Sequence, residues 1–440
     1  INGGSGLTIT ANGNLVVSGA VGGSTALSAY AVTSTGSASQ TFSANITTSG
    51  NQTYTAAGGI VTSGARTFTS NSGTVNFASA LSGDNNVTVT GNADIDGAIT
   101  DIAVLSISGT SNIGANITTS GAQTYTGAVT LSENITITTT SDNVSFGSTI
   151  NSTSTTSGPT AILTDNGGSP LSVSGTANQT TNFDINYSGF LNDRFDTVLL
   201  GVGSTIKLYA NSGFEPLITT ITNSSDSSAT TNFGEVGLSS FQLSGAGGES
   251  SDGHTLTINS GGNTNTIQFA GTVGNSASLG AIAITGALDL NAAITKAASL
   301  SISGVSNVGA NVTTSGAQTY TGTVTSSGGA RTLEGTTITT AAVDGGAADL
   351  TITGILDLDG AITNAADFSV SGASNLGANV TTTGTQTYSG AVTLSGAERT
   401  LQGSTITTQG TLAGGSQNLI ITGNAVFGNG TGDTVTGVGT

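Results

Sequence analysis

The 440-residue chain contains no Cys, no Met and no Trp, and only three Pro. Without Cys there are no disulfides, thiol nucleophiles or thiolate metal sites. Without Met the chain reads as a processed protein or a fragment. Bases are nearly missing too: Arg66, Arg194, Lys207, Lys296, Arg331 and Arg399 are all there are, against 24 acids, for a net charge of −18. Phosphate recognition needs clustered Lys and Arg, so no nucleic-acid partner is expected, and anionic membrane surfaces are equally poor ones. Apolar runs stop short of the roughly 18 residues of a membrane span, so no membrane insertion is expected. Ile1 opens no signal peptide.

What the chain has is glycine, at 67 positions, and repetition. A Gln-Thr-Tyr string recurs with its tyrosine at Tyr54, Tyr125, Tyr320 and Tyr388. Each tyrosine follows an asparagine by nine residues: Asn45, Asn116, Asn311 and Asn379. Upstream lie 105–116 (LSISGTSNIGAN), 300–311 (LSISGVSNVGAN) and 368–379 (FSVSGASNLGAN). Before them come 93–100 (ADIDGAIT), 288–295 (LDLNAAIT) and 356–363 (LDLDGAIT). Neighbouring tyrosines are 71 and 68 residues apart, and the gap of 195 reads as three further periods of about 65 through a diverged stretch. A longer offset overlies this one, 14–36 matching 266–286, so a second super-repeat starts near residue 252.

Alternation of apolar residues with Thr and Ser, punctuated by Gly, Asn and Asp, specifies strands, and no segment carries a helical stripe. Large inward residues are too sparse for a sandwich core. A parallel β-helix, in which each coil stacks on the next around a narrow core, suits the composition better; tandem β-sandwich domains are the alternative. A block of about 68 residues would make three coils of about 22 to 23. The recurring Asn are expected to stack as amide ladders at corners. The division expected is β-helical repeats over 1–180, a diverged insertion or side-domain over 181–256, and further repeats over 257–440.

The segments 116–131 (NITTSGAQTYTGAVTL) and 379–394 (NVTTTGTQTYSGAVTL), with 331–340 (RTLEGTTITT) and 399–408 (RTLQGSTITT), resemble the repeats of large bacterial surface adhesins of the filamentous-haemagglutinin-like type. That resemblance covers most of 14–150 and 266–425. It implies a right-handed β-helical shaft, secretion, an extracellular or cell-surface location, and adhesion or matrix building.

The middle section departs from the pattern. Tyr187, Phe190, Arg194, Phe195, Tyr209 and Phe214 crowd into it. Aromatic and Arg residues enrich recognition patches, so these are the candidate contacts for a cell-surface glycan, matrix or another subunit. Phe is, however, more often core than contact, which favours a diverged coil or small side-domain with a fatter core.

Chemistry is thin elsewhere. His254, the single histidine, sits in a turn with no nucleophile elbow or oxyanion signal. The acid pairs Asp94/Asp96 and Asp357/Asp359 could flank a glycosidic bond, yet the matching repeat has Asp289 and Asn291, which reads as a structural ladder. No enzyme is expected. No cofactor is required; calcium is the one candidate, at Asp94, Asp96, Asp357, Asp359 and Asp433, the last in a partial calcium nonapeptide (GNGTGDTVT, 428–436). Arg66, Arg331 and Arg399 follow their tyrosines by 12, 11 and 11 residues and suggest corner pairs with Glu334 and Glu398. Thr-x-Thr pairs raise ice binding as a minor alternative. Neither terminal segment looks like a cap, so copies of the chain are expected to associate head-to-tail.

Overall fold

The computed structural model describes residues 1–153, 253–430 and 432–439, together with the backbone of eight strands between Thr160 and Gly245. The chain is all-β, and its parallel strands stack as a β-solenoid of about 17 turns. Two compact units are present: Ile1–Thr153 with His254–Thr440, and Ser154–Gly253.

Each turn of the solenoid has three short strands, so three columns of parallel strands run along it. Column one passes through Leu7, Tyr30, Gln52, Val75, Ala93, Ser111, Val129 and Ile150, each pairing with the next. Column two runs through Leu15, Gln40, Ile60, Leu81, Ile99 and Ile117. Column three contains Val21, Ile46 and Phe68, then Leu105, Gln123 and Val144. Three residues is the commonest strand length, typically with both ends buried and the middle residue half-exposed, as in Leu105–Ile107, Ser111–Ile113 and Val129–Leu131. Side chains alternate across a strand, so an in–out–in triplet sends two residues to the core and one to solvent. β-Branched residues suit those inward positions, and like stacks on like: Ile99 pairs with Ile117, and Ile117 with Ile137. All three are fully buried. Ile117→Ala would cost about 2–5 kcal/mol, because a closed coil cannot collapse around the void.

Coil length departs from the sequence reading. Partners lie 18 residues apart at Leu105 and Gln123 but 25 apart at Leu15 and Gln40. The sequence repeat is therefore not three coils. Tyr54 continues through Phe77, Ile95, Ile113 and Leu131 in column one, whereas Tyr125 stands between Ile107 and Phe146 in column three. Tyr320 stacks on Thr340 in column two, and Tyr388 on Thr408 in column one again. One repeat thus spans eleven strand steps, or three and two-thirds turns, and successive repeats are turned by a third of a revolution. The long gap between Tyr125 and Tyr320 is not three further repeats. It contains four and two-thirds turns plus the second unit.

That unit interrupts the chain without interrupting the stack. Ile135–Thr138 pair directly with Leu256–Asn259, Val144–Phe146 with Ile267–Phe269, and Ile150 with Val273. The rings of Phe146 and Phe269 meet at 5.6 Å. The second unit itself holds two four-stranded antiparallel sheets, Pro170–Ser174, Thr160–Asp165, Arg194–Leu200 and Ala229–Gly237 in one, Thr181–Asp184, Ser240–Gly245, Ser204–Tyr209 and Leu217–Thr222 in the other. Its first strand begins at Thr160, ahead of residue 181, where composition first signals a change.

Candidate functional site

The recurring Gln-x-Tyr places both side chains inward, where a lone polar group would be costly. The pair satisfies itself. Tyr54 Oη donates to Gln52 Oε1 (2.7 Å), and Gln52 Nε2 donates to Thr48 Oγ1 (3.1 Å) and to the carbonyl of Thr69 in the next coil (2.7 Å). The same network recurs at Thr119, Gln123 and Tyr125, at Thr314, Gln318 and Tyr320, and at Thr382, Gln386 and Tyr388. Each of these Thr hydroxyls also donates to the carbonyl of a glycine two residues on; at Thr119 the acceptor is Gly121, at 2.6 Å. A methyl group on Gly50, Gly121 or Gly316 would stand 2.4, 2.9 or 2.6 Å from the preceding coil's carbonyl oxygen, which is why that corner is glycine. Burial raises the pKa of all four tyrosines, and that of Tyr30 to about 12. The tetrad is a built-in staple of the core.

The expected amide ladders are not what the repeat asparagines form. Asn45, Asn116, Asn311 and Asn379 each accept, through Oδ1, a backbone N–H of the next coil: those of Thr67, Thr136, Thr332 and Thr400 at 2.8–3.0 Å. A corner N–H with no strand partner is expensive to leave unmade, and the carboxamide supplies the acceptor. The arginines also differ from expectation. Arg66 Nε donates to Phe42 O (3.2 Å), Arg331 Nε to Val308 O (3.2 Å) and Arg399 Nε to Leu376 O (3.1 Å), with further bonds to the carbonyls of Ser63, Ser327 and Ser395. Glu334 instead accepts from Thr313, and Glu398 from Asn418. Planar guanidinium donors match a cluster of turn carbonyls better than a distant carboxylate does. Gly64, Gly328 and Gly396, all at positive φ, bring those carbonyls round.

On the outer surface, carboxylates and carboxamides form rungs. Asp94 accepts from Asn76 Nδ2 (2.6 Å) on one side and Asn112 Nδ2 (2.8 Å) on the other, and Asn76 also reaches Asp96 (3.0 Å). A shallow groove on column one runs past Thr53, Asn76, Asp94, Asn112 and Thr130. Asp289 accepts from Asn307 (2.8 Å), Asn291 (3.1 Å) and Gln268 (3.2 Å). Burial alone would raise its pKa; the three amide donors together outweigh that and hold it below the usual carboxylate range. Asp357 accepts from Asn375 (2.8 Å). The structure brings Asp94 and Asp96 together through Asn76, but sets Asp94 and Asp357 on different columns, many coils apart. Asp433 caps its own turn, accepting the N–H groups of Asn429 and Gly430 at 2.9 and 3.0 Å. Among the described residues no three of His, Asp and Glu converge as a metal would need.

His254 stands at the seam where the chain re-enters the solenoid. Its backbone N–H donates to Ser152 Oγ (2.9 Å), and its ring Nε2 lies 3.2 Å from Thr153 Oγ1. Of the aromatic-section candidates, Tyr187, Phe190 and Phe214 lie outside the described residues. Arg194 and Phe195 open the strand Arg194–Leu200, and Tyr209 ends Ser204–Tyr209, with only the backbone described. The Thr-x-Thr pairs divide among columns: Thr8–Thr10 and Thr53–Thr55 lie on column one, Thr88–Thr90 on column three and Thr337–Thr339 on column two.

The glutamine, threonine and glycine of the tetrad were missed as a unit in the sequence, although Thr-x-Gly-x-Gln-x-Tyr stands there four times. No protein-family model, curated protein or solved structure matches the chain.

Proposed function

We propose that this chain is a non-enzymatic, extracellular structural protein, a length of β-solenoid shaft in a bacterial surface adhesin or matrix fibre. The observation that carries this reading is the seam. Coil pairing runs from Ile135–Thr138 straight to Leu256–Asn259, so the ladder continues across the interruption in sequence. A ladder that stays unbroken across an insertion in the chain suits a spacer. The chain spends its polar groups on holding coils together, and its acidity keeps long particles apart. Protease accessibility on intact native cells tests the location: cleavage of the chain on unbroken cells supports the proposal, and full protection there would overturn it.

The second reading gives the Ser154–Gly253 unit a glycan- or receptor-binding role, with the shaft as its support. Its separate compactness favours this, as does the aromatic composition. Binding to a glycan array by the whole chain, lost when 154–253 is replaced by a short linker, is the expected result. Equal binding by both would sink it.

A further inference from the structure

Four corners of the solenoid carry a short motif whose amide nitrogen the fold leaves free. Asn45, Asn116, Asn311 and Asn379 each stand one residue before a short strand: Ile46–Thr48, Ile117–Thr119, Val312–Thr314 and Val380–Thr382. The first residue of each strand is buried and the second, a threonine, faces outward. Side chains two apart share a face. Asparagine and threonine therefore flank a buried Ile or Val on the solvent side, as Asn-x-Thr. We infer that these corner asparagines are acceptor sites for N-linked sugar, which is attached at that motif on exposed loops.

Hydrogen bonding sets the two ends of each carboxamide apart. Oδ1 is committed to a backbone N–H of the next coil, at 2.8–3.0 Å. Nδ2 has no partner among the described residues, and all four asparagines are exposed. The rung asparagines are the reverse. Asn76, Asn112, Asn307 and Asn375 donate through Nδ2 to an aspartate, and Ala78, Gly114, Gly309 and Gly377 stand where the hydroxyl residue would be. No described asparagine that donates through Nδ2 has Ser or Thr two residues on. Thr is a good strand residue, but the corner bond does not need it. Asn14 and Asn92 make the same bond, to the N–H groups of Ser39 and Thr110 at 3.0 Å, with Val16 and Asp94 at that place.

The donor would be a diphosphate-activated sugar brought by a separate transferase. Nδ2 attacks the anomeric carbon and the N–C bond forms. The anomeric C–O bond breaks, its electron pair leaves with the diphosphate, and a transferase base takes one amide proton. The product is still an amide. Its carbonyl oxygen keeps the bond to the next coil, so the sugar is added without unmaking the corner. Asn45 and Asn379 precede column-three strands, Asn116 a column-two strand and Asn311 a column-one strand, so sugar would stand on all three faces of the solenoid.

The chain purified from its native host, cut with elastase and sequenced by mass spectrometry, should carry sugar on Asn45, Asn116, Asn311 and Asn379. Asn14 and Asn92, and the rung asparagines, should be bare. Single-hexose increments would identify a nucleotide-sugar donor, and one larger repeated increment a lipid-linked oligosaccharide donor; both support the inference. Thr118 is exposed, and its side chain makes no hydrogen bond among the described residues. In the same host Thr118→Val should strip the sugar from Asn116 alone, whereas Thr118→Ser should keep it. Neither substitution should move the melting temperature of the unmodified protein. The shaft reading does not depend on the result. The inference is overturned if the four corner asparagines are bare, if sugar is confined to Ser and Thr hydroxyls, if Asn14 and Asn92 carry it equally, or if Thr118→Val leaves Asn116 glycosylated.

Discussion

The Tyr125 hydroxyl donates to Gln123 Oε1 at 2.8 Å, in a core from which both residues are fully shielded. Tyr125→Phe leaves that oxygen without its donor while removing only the hydroxyl's own small volume. A buried acceptor stripped of its partner costs about 1–3 kcal/mol. Gln123→Ala is expected to cost more, because it orphans the tyrosine hydroxyl and opens a void as well. Denaturant melts of the two variants check this; a Tyr125→Phe protein as stable as the parent would remove the tetrad from the account of stability.

Ser306 offers the opposite case. Its hydroxyl, like those of Ser111 and Ser374 at matching places, is buried with no hydrogen-bond partner. Ser306→Ala removes an unsatisfied group and adds no strain, so stability should stay level or rise by about 1 kcal/mol. A loss of stability on calorimetry would show that the hydroxyl has a partner in solution.

Alkaline pH should unfold the protein. The buried tyrosines have pKa values raised by desolvation, Tyr30 to about 12, whereas in the unfolded chain they ionise near 10. A group whose pKa is raised on folding contributes stability that is whole below the unfolded value. It is lost as pH climbs toward the folded one. The melting temperature should therefore hold up to about pH 10 and fall steadily above it, with tyrosinate absorbance appearing as the structure is lost. Absorbance from more than two of the seven tyrosines rising at pH 10 ahead of unfolding would contradict the burial of Tyr30, Tyr54, Tyr125, Tyr320 and Tyr388.

Chelation addresses calcium. The carboxylate oxygens of Asp94 are already held by two carboxamides, and those of Asp289 by three. Treatment with a chelator is expected to leave the melting temperature unchanged. A fall of several degrees, restored by added calcium, would place a metal on these rungs.

Removing the second unit should spare the solenoid. Ser152 and Thr153 already touch His254, so joining residue 153 to 254 through a short linker closes an ordinary corner. Loop-closure entropy would favour the shortened chain slightly. Circular dichroism and melting of that variant should match the shaft of the parent, and an unfolded product would mean that the unit nucleates the stack.

The solenoid was legible because strand periodicity and turn residues act locally. Leu105–Ile107 and Phe368–Val370 announce themselves as in–out–in triplets wherever they lie. The coil length was not legible. It is set by corners, and the corner at Leu15–Gln40 is longer than that at Leu105–Gln123 with nothing in the strands to say so. The arginines misled for a related reason: Glu334 and Glu398 are near in sequence, but the carbonyls that hold the guanidinium groups come from the coil before, at Phe42, Val308 and Leu376. Spacing revealed which residues recur. It could not reveal that recurrence in sequence is rotation in space.

That rotation makes the molecule a screw rather than a ruler. The rung at Asp94 lies on column one, its counterpart at Asp289 on column three and that at Asp357 on column two. The one-third turn is kept even between Tyr125 and Tyr320, where a whole extra coil and a separate unit intervene. Any feature written once into the repeat is thereby displayed in three compass directions. A surface lying against a single side meets it again only after three repeats, as from Tyr54 to Tyr388 on column one, twelve coils on, a distance of about 58 Å at the usual strand spacing. Along any one side the repeat is therefore sparse, while round the circumference it returns at every third of a turn.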